Sequence, residues 1–196
     1  SRVINLSGPV MERGDTEWIG FWEKMLGPDF YMVHFNRQPG VADEVFATNA
    51  KQFLSNMYRT NQWQHPAPDL GPGMNMINMA QDPAFADGVP GDPMMSDAEM
   101  QVFLDAFALS GFTGGINWYR NLTRNWETMG AFEQHIYQPT LAIFGDYDMV
   151  PKSKTLAERV STLEVVDLPC GHWIQQELPE ETNAAMLEWL DRYYAA

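Results

Sequence analysis

The pattern of apolar and polar positions divides the chain into two kinds of segment. Three short apolar runs predict buried strands, at residues 2–7, 140–144 and 163–168. Longer stretches carry apolar residues at helical spacing, at residues 15–26, 41–58, 96–110, 113–129, 153–160 and 179–194. The pattern therefore predicts one strand at the start, a long helical insertion, and two strands with their helices at the end.

The order of these elements indicates an α/β fold. Strand, helix, strand and helix follow one another after residue 139, and this order is typical of right-handed crossovers in a parallel sheet. A sheet covered by helices on both faces usually has about five or more strands. Because only three strands are predicted, we expect this chain to contain only part of the sheet.

Local signals define several boundaries within the insertion. Ser96 and Glu99 have the spacing of a capping box, and Gly111 is expected to end the helix that follows. Asp15 is the expected N-cap of the first long helix. Residues 63–95 are rich in Pro, Gly, Asn, Asp and Met, which predicts a long irregular loop. This loop either lines an entrance for apolar ligands or forms a solvated surface.

Two polar loops follow the last two predicted strands. Asp146 and Asp148 come directly after the strand at 140–144, and His172 follows the strand at 163–168. Each residue alone has a structural explanation, since Asp side chains cap turns and a single His is more often structural than catalytic. Parallel strands, however, end at the same edge of a sheet, so Asp148 and His172 are expected to meet. As a pair they favour catalysis, because an Asp can orient a His that acts as general base.

Two aromatic strings lie in the helical insertion. One is N-W-Y-R-N at 117–121, and the other is F-Y-M-V-H-F at 30–35, followed by P-G-V-A-D at 39–43. By composition alone, packing is the default role of both strings. Each contains one tyrosine, Tyr119 and Tyr31, whose phenol can also donate a hydrogen bond.

These strings and the two polar loops resemble a known family. The segments G-D-Y-D-M-V-P at 145–151 and G-H-W-I-Q-Q-E-L-P at 171–179 are similar to the C-terminal part of α/β-hydrolases of the soluble epoxide hydrolase type. The two aromatic strings are similar to the helical cap, or lid, of the same enzymes. The resemblance implies the C-terminal part of an α/β-hydrolase fold: a core strand at 1–12, a cap at 13–135, and the end of the core at 136–196.

The resemblance also implies a reaction. In this family an aspartate attacks a small hydrophobic epoxide, and the resulting ester is hydrolysed to a vicinal diol. Asp148 would be the relay acid and His172 the base of the catalytic triad. Tyr31 and Tyr119 would donate hydrogen bonds to the ring oxygen and stabilise the alkoxide, as an oxyanion hole does. The Tyr31 segment departs from the family pattern by one inserted residue before Pro39.

The nucleophile of the family has no counterpart in these 196 residues. Neither the elbow G-x-D-W/x-G nor the oxyanion loop H-G-x-P occurs, and R-V-I-N-L-S-G-P at 2–9 resembles the strand that follows the elbow. We therefore expect the N-terminal half of the fold to lie upstream or on a partner chain. The chain alone is expected to be inactive and prone to association, because it exposes an apolar sheet edge.

Two other functions compete with epoxide hydrolysis. A haloalkane or haloacetate dehalogenase has the same α/β-hydrolase fold, but it needs hydrogen-bond donors to the leaving halide and does not need two cap tyrosines. A non-catalytic remnant that binds a hydrophobic ligand is the second alternative, yet a remnant has no physical reason to keep an Asp–His pair. The presence of both Tyr31 and Tyr119 therefore favours the epoxide.

Composition and charge exclude further classes of function. With 26 acidic and 12 basic side chains, the formal charge is −14, which repels nucleic acid and anionic membranes. No apolar run approaches the roughly 20 residues of a membrane span. The four His residues lack metal-ligand spacing, no phosphate-binding loop occurs, and no cofactor is implied. The single cysteine, Cys170, allows no internal disulfide and suits the cytoplasm, although an upstream signal would permit secretion.

Overall fold

The computed structural model describes residues 1–194, and it divides the chain into two compact units. The first unit comprises Ser1–Glu12, Thr60–His65 and Glu133–Ala196, and the second comprises Arg13–Arg59 and Pro66–Phe132. Residues 60–65 thus group with the first unit, although the family resemblance implied a cap that includes them.

Residues 1–194 form five strands and eleven α-helices. The strands are β1 (Val3–Leu6), β2 (Arg59–Thr60), β3 (Asp92–Pro93), β4 (Thr140–Gly145) and β5 (Leu163–Leu168). The helices of the second unit are α1 (Trp18–Leu26), α2 (Tyr31–Arg37), α3 (Val41–Thr48), α4 (Ala50–Met57), α5 (Met76–Gln81), α6 (Asp97–Ser110), α7 (Thr113–Arg120) and α8 (Leu122–Met129). Those of the first unit are α9 (Leu156–Arg159), α10 (Ile174–Glu177) and α11 (Pro179–Tyr194).

The first unit contains a parallel sheet with strand order β1-β4-β5, as the three apolar runs predicted. Every residue of the central strand β4 is buried. Successive side chains of a strand point to opposite faces. Leu141 and Ile143 accordingly pack with Trp189 of α11, whereas Ala142 and Phe144 pack in a separate cluster on the other face. The sheet is thus covered on both faces, which accounts for the continuous apolar run.

The helices of the first unit match the sequence pattern unevenly. The prediction of a helix at 179–194 is confirmed by α11. The helix predicted at 153–160 is reduced to the single turn α9. The short helix α10 was not predicted, because four residues are too few for a periodic pattern.

Eight helices form the second unit around an aromatic core. The rings of Phe46 and Phe53 stack with centroids 3.8 Å apart, and Phe112 packs edge-on against both. The periodic stretch at 41–58 forms two helices that meet at Asn49, and the stretch at 113–129 forms two that meet at Asn121. The capping box at Ser96 and the end of α6 at Gly111 are confirmed.

Two predictions for the second unit were wrong. The N-cap of α1 is Glu17 and not Asp15, since the Glu17 carboxylate accepts hydrogen bonds from the backbone N–H groups of Ile19 and Gly20. The segment 63–95 is not one irregular loop, because it contains the helix α5 and three single 3₁₀ turns. Within residues 1–194, no helix has both the length and the apolar character that crossing a bilayer requires.

A buried asparagine organises much of this segment. The amide nitrogen of Asn56 in α4 donates to the carbonyl oxygens of Met79 and Phe85, at 2.8 Å and 3.0 Å. Its amide oxygen accepts from the backbone N–H of Val89 at 2.8 Å. Asn56 is 1% exposed, so these bonds satisfy polar groups that water does not reach.

Candidate active site

The carboxyl ends of β4 and β5 bring Asp148 and His172 together, as their order in the chain predicted. The Nδ1 atom of His172 lies 3.0 Å from each carboxylate oxygen of Asp148. The Asp148 side chain is 4% exposed and the His172 side chain 38% exposed. Since a carboxylate can only accept, Nδ1 of a neutral imidazole carries the proton in this contact. The other ring nitrogen, Nε2, then keeps its lone pair and is available as a base.

Asp148 is held in its ionised form by its surroundings. Burial raises the pKa of this carboxyl, but the hydrogen bond from His172 and that from the backbone N–H of Val150 outweigh burial, so the pKa lies below its ordinary value. The Val150 N–H is 2.8 Å from Oδ1. An anionic Asp148 is the form that fixes the tautomer of the neighbouring imidazole and stabilises its protonated state.

Ser7 is a neighbour of this pair that sequence reasoning missed. It follows β1 directly, its backbone N–H donates to the Ile143 carbonyl, and its side chain also lowers the pKa of Asp148. Ser7 is buried, its φ is 51°, and within the described residues its Oγ has no hydrogen-bond partner. A non-glycine residue with a left-handed backbone conformation at the end of a strand is uncommon and often marks a functional site. The conformation of Ser7 has no signature in the sequence, because it is defined by backbone angles alone.

Gly145 allows the Asp148 loop and the His172 loop to approach each other. A Cβ atom on Gly145 would lie 2.2 Å from the carbonyl oxygen of Gly171 and 2.6 Å from that of Cys170. Contacts this short with backbone atoms cannot be relieved by side-chain rotation. The Tyr147 N–H also donates to the Cys170 carbonyl at 3.1 Å, which joins the two loops by a backbone hydrogen bond.

An aromatic stack lies in the same unit. The rings of Trp63 and Tyr147 are nearly parallel, with an interplanar angle of 13° and centroids 3.8 Å apart. Tyr147 is the residue before Asp148, and Trp63 belongs to the short segment Thr60–His65. Sequence reasoning missed this contact because the two residues are more than 80 positions apart and neither has a distinctive local pattern.

Tyr31 and Tyr119 lie together in the second unit. Tyr31 is the first residue of α2 and Tyr119 is near the end of α7, and their rings meet edge-to-face with centroids 5.4 Å apart. Phe35 contacts both rings, at 5.8 Å and 5.7 Å. Burial raises the pKa of both phenols, and for Tyr31 the charge and the hydrogen bond of Tyr119 raise it further. Both side chains therefore remain protonated hydrogen-bond donors near neutral pH.

Polar ties hold the helices that carry this tyrosine pair. Arg120, the residue after Tyr119, donates from Nε to the carbonyl of Phe35 in α2 and forms an ion pair with Asp43 in α3. Asn36 in α2 donates to the carbonyl of Tyr119 at 3.1 Å. These contacts fix α2 and α7 to each other and α7 to α3.

The Asp43 carboxylate is the centre of these ties. The hydrogen bond from Arg120 lowers its pKa to about 2, with a further contribution from the Thr113 hydroxyl at 2.6 Å. Both Asp43 and Arg120 side chains are only 17% exposed. The aspartate in P-G-V-A-D and the arginine in N-W-Y-R-N are therefore partners, and this ion pair joins the segment after one aromatic string to the other string.

His34, one turn after Tyr31, is a buried neutral residue. It is 5% exposed, and burial lowers the pKa of its imidazole despite the charge of Asp29. Its Nδ1 makes no hydrogen bond to the described residues. These features fit packing, the default role of the aromatic string F-Y-M-V-H-F that contains His34.

The second unit also has a cavity of about 430 Å³ that is partly open to solvent. Its lining includes Lys51, Tyr58, Arg59, Met94, Met95 and Met100. The volume is within the range of sites for small organic molecules. Met94 and Met95, two of the methionines in the segment 63–95, therefore border a cavity. In residues 1–194, no group of three or more His, Cys, Asp or Glu side chains is arranged to hold a metal ion.

No family model matches the chain. The similar proteins of known name are epoxide hydrolases. Epoxide hydrolase A of Mycobacterium tuberculosis is 33% identical over 198 residues, a match that covers 96% of this chain and 60% of the relative. Bifunctional epoxide hydrolase 2 of Rattus norvegicus is 31% identical over 170 residues, or 82% of this chain and 29% of the relative.

The solved structures that resemble this chain are also epoxide hydrolases. The crystal structure of epoxide hydrolase A from Mycobacterium thermoresistibile matches with a TM-score of 0.76 and 28% identity, over 96% of this chain and 61% of that one. Epoxide hydrolase I of potato, Solanum tuberosum, matches with a TM-score of 0.76 and 27% identity, over 97% and 62%. The chain thus spans about three fifths of the length of the mycobacterial and potato proteins.

Proposed function

Because this chain belongs to the α/β-hydrolase superfamily and its relatives are epoxide hydrolases, we propose that it supplies the cap and the acid–base residues of an epoxide hydrolase. The proposed reaction converts a small hydrophobic epoxide and water to a vicinal diol. The observation that carries the proposal is the edge-to-face contact of Tyr31 and Tyr119 in a chain that also pairs Asp148 with His172.

The two tyrosines would stabilise the charge that ring opening creates. When a carbon–oxygen bond of the epoxide breaks, negative charge develops on the ring oxygen. Two phenols that remain protonated can donate to this oxygen, and one of them can transfer its proton to give the alcohol. The raised pKa values of Tyr31 and Tyr119 support this role, because a phenol ionised near neutral pH could not donate.

His172 would act in the second half of the reaction. An ester between an aspartate and the substrate is cleaved by water, and Nε2 of His172 would take a proton from that water as it attacks the ester carbonyl. The contact of Nδ1 with Asp148 stabilises the imidazolium that forms. The imidazolium gives this proton to the diol oxygen as the ester bond breaks. The second proton of the water, left on the aspartate as a carboxylic acid, returns to the phenolate, so both the aspartate and the tyrosine are regenerated.

The nucleophile itself would come from polypeptide outside these 196 residues. No aspartate of the chain stands in the elbow motif of the family. We propose that an N-terminal half of the hydrolase fold, in the same precursor or on a partner chain, completes the protein. On this proposal the 196 residues alone have no turnover.

The two tyrosines also favour an epoxide over a halogenated substrate. A halide leaves as an anion that needs no proton, whereas the ring oxygen of an epoxide becomes an alkoxide that does. The test is to assay styrene oxide and 1-chlorobutane with the full-length protein and with its Tyr31→Phe/Tyr119→Phe double variant. We expect diol formation only in the first protein. Dehalogenation that survives the double substitution, without diol formation in either protein, would refute the proposal.

A further inference from the structure

The backbone on both sides of His172 is held by one carboxylate. The N–H of Gly171 donates to Oε2 of Glu177 at 3.1 Å, and the N–H of Trp173 donates to Oε1 at 3.2 Å. The two bonds come from the residues directly before and directly after the histidine. A bidentate carboxylate therefore limits the rotation of both peptide groups that determine where the imidazole points.

The spacing in G-H-W-I-Q-Q-E follows from this contact. Glu177 lies four residues after Trp173, and its backbone N–H donates to the Trp173 carbonyl at 2.8 Å. One helical turn, α10, thus returns the Glu177 side chain to the loop that carries His172.

Gly171 is part of the same arrangement. A Cβ atom at this position would lie 2.9 Å from Oε1 and 3.4 Å from Oε2 of Glu177. A side chain on residue 171 would therefore displace the carboxylate, so the glycine before the histidine permits the contact.

The charge of Glu177 also affects its surroundings. Burial raises the pKa of the Cys170 thiol to about 11, and the negative charge of Glu177 is the next largest cause. The neighbouring thiol consequently stays protonated and is a poor nucleophile.

We infer that Glu177 is a positioning residue for the proposed hydrolase: its carboxylate holds the His172 loop so that Nδ1 faces Asp148 and Nε2 stays available as the base. The inference rests on the proposed function for its catalytic meaning. Without the carboxylate, the two N–H groups turn to water, and the imidazole samples orientations in which its contact with Asp148 is broken.

The experiment follows the Nδ1 proton of His172 by NMR in the full-length protein labelled with ¹⁵N-histidine. The His172→Gln variant assigns the signal by removing it. In Glu177→Ala we expect the exchange of this proton with water to accelerate at least tenfold. Glu180→Ala, which removes an exposed carboxylate from the first turn of α11, is the matched control and should leave exchange within twofold.

A second variant keeps the test decisive if Glu177→Ala does not fold. Glu177→Gln keeps the shape and one acceptor oxygen but places an amide group against a backbone N–H, and it should accelerate exchange several-fold. Unchanged exchange in a folded Glu177 variant would overturn the inference. This readout needs no epoxide, so a protein without turnover whose Nδ1 proton responds as expected would refute the proposed function and leave the positioning role intact.

Discussion

The Asp148–His172 pair of the first unit and the Tyr31–Tyr119 pair of the second are held by different kinds of contact. Asp148 and His172 lie on loops that follow neighbouring parallel strands, and the two loops are joined to each other by the close backbone approach at Gly145 and by the hydrogen bond from the Tyr147 N–H to the Cys170 carbonyl. The tyrosines lie on two helices that are joined by side chains, chiefly Arg120 and Asn36.

The sheet topology therefore determines the position of the Asp148–His172 pair, whereas individual side chains determine the position of the Tyr31–Tyr119 pair. Any sequence that forms β4 and β5 in parallel brings the following loops to the same edge of the sheet. No such rule brings α2 and α7 together. The two helices are joined by hydrogen bonds between residues 83 and 85 positions apart, from Asn36 to the Tyr119 carbonyl and from Arg120 to the Phe35 carbonyl. Substitutions of these side chains should therefore disturb the tyrosine pair more readily than most substitutions in the first unit disturb the strand-end pair.

Loss of the relay acid should have the largest effect. In Asp148→Asn the amide can donate to Nδ1, which favours the imidazole tautomer with its proton on Nε2, and this tautomer cannot act as the base. We expect kcat for epoxide hydrolysis to fall by about 10³- to 10⁴-fold, as in other Asp–His pairs. Steady-state diol formation by the full-length variant measures the effect, and a loss of less than tenfold would contradict the assigned role.

Loss of one phenol should have the next largest effect. Tyr31→Phe and Tyr119→Phe each remove a donor to the developing alkoxide, and each should lower kcat by about 10²-fold to 10³-fold. Tyr58→Phe is the matched control, because Tyr58 is a partly buried tyrosine that packs against the same aromatic core. Its turnover should stay within about threefold, and an equal loss in all three variants would mean that packing, and not donation, explains the effect.

Replacement of Asn56 should destabilise the second unit. Asn56→Ala removes the partner of the buried Met79 carbonyl and of the buried Val89 N–H, and one of two donors to the Phe85 carbonyl, which we expect to cost about 2–4 kcal/mol of unfolding free energy. Asn75→Ala removes only the N-cap of α5 in the same segment and should cost about 1 kcal/mol. Urea unfolding measures both. Equal losses would show that Asn56 does not organise the segment.

Loss of the Asp43–Arg120 ion pair should have a smaller effect that depends on pH. Asp43→Asn should cost about 2–3 kcal/mol near neutral pH, because it leaves a mostly buried guanidinium without its anion. The pKa of Asp43 is lowered to about 2 in the folded protein, so the stabilisation is fully present above the ordinary carboxyl pKa and is lost as pH falls through about 2.

Urea unfolding of Asp43→Asn and the unchanged protein between pH 7 and pH 2 checks this sign. The difference between them should shrink as the pH falls. Glu23→Gln, which breaks an exposed ion pair with Arg37, should change stability by less than about 0.5 kcal/mol at any pH. A difference for Asp43→Asn that grows towards acid would contradict the account.

The sequence predicted the elements whose apolar residues form a continuous run or recur with helical periodicity. The three strands, α11 and the capped helix α6 follow from apolar runs and from local capping residues. The meeting of Asp148 and His172 follows from strand order alone. The meeting of Tyr31 and Tyr119 was expected only from the family resemblance, because no local pattern predicts which two helices pack together.

The features that the sequence did not reveal depend on long-range contacts. Asn56 binds backbone groups 23 to 33 positions away, so its role is invisible in the local string F-L-S-N-M. Residues 63–95 were misread as one loop because α5 has only six residues and lies among prolines and glycines. Glu177 was visible as part of a motif, but its contact with both N–H groups around His172 required coordinates.

The most direct test of the account is to trap the proposed ester. His172→Gln in the full-length protein removes the base that would hydrolyse it, so brief incubation with styrene oxide should raise the intact mass by one epoxide. Peptide mapping should place the adduct on an aspartate outside Ser1–Ala196, and the additional substitutions Tyr31→Phe and Tyr119→Phe should abolish it. An adduct on a residue within these 196 positions, or its persistence without both phenols, would contradict the account.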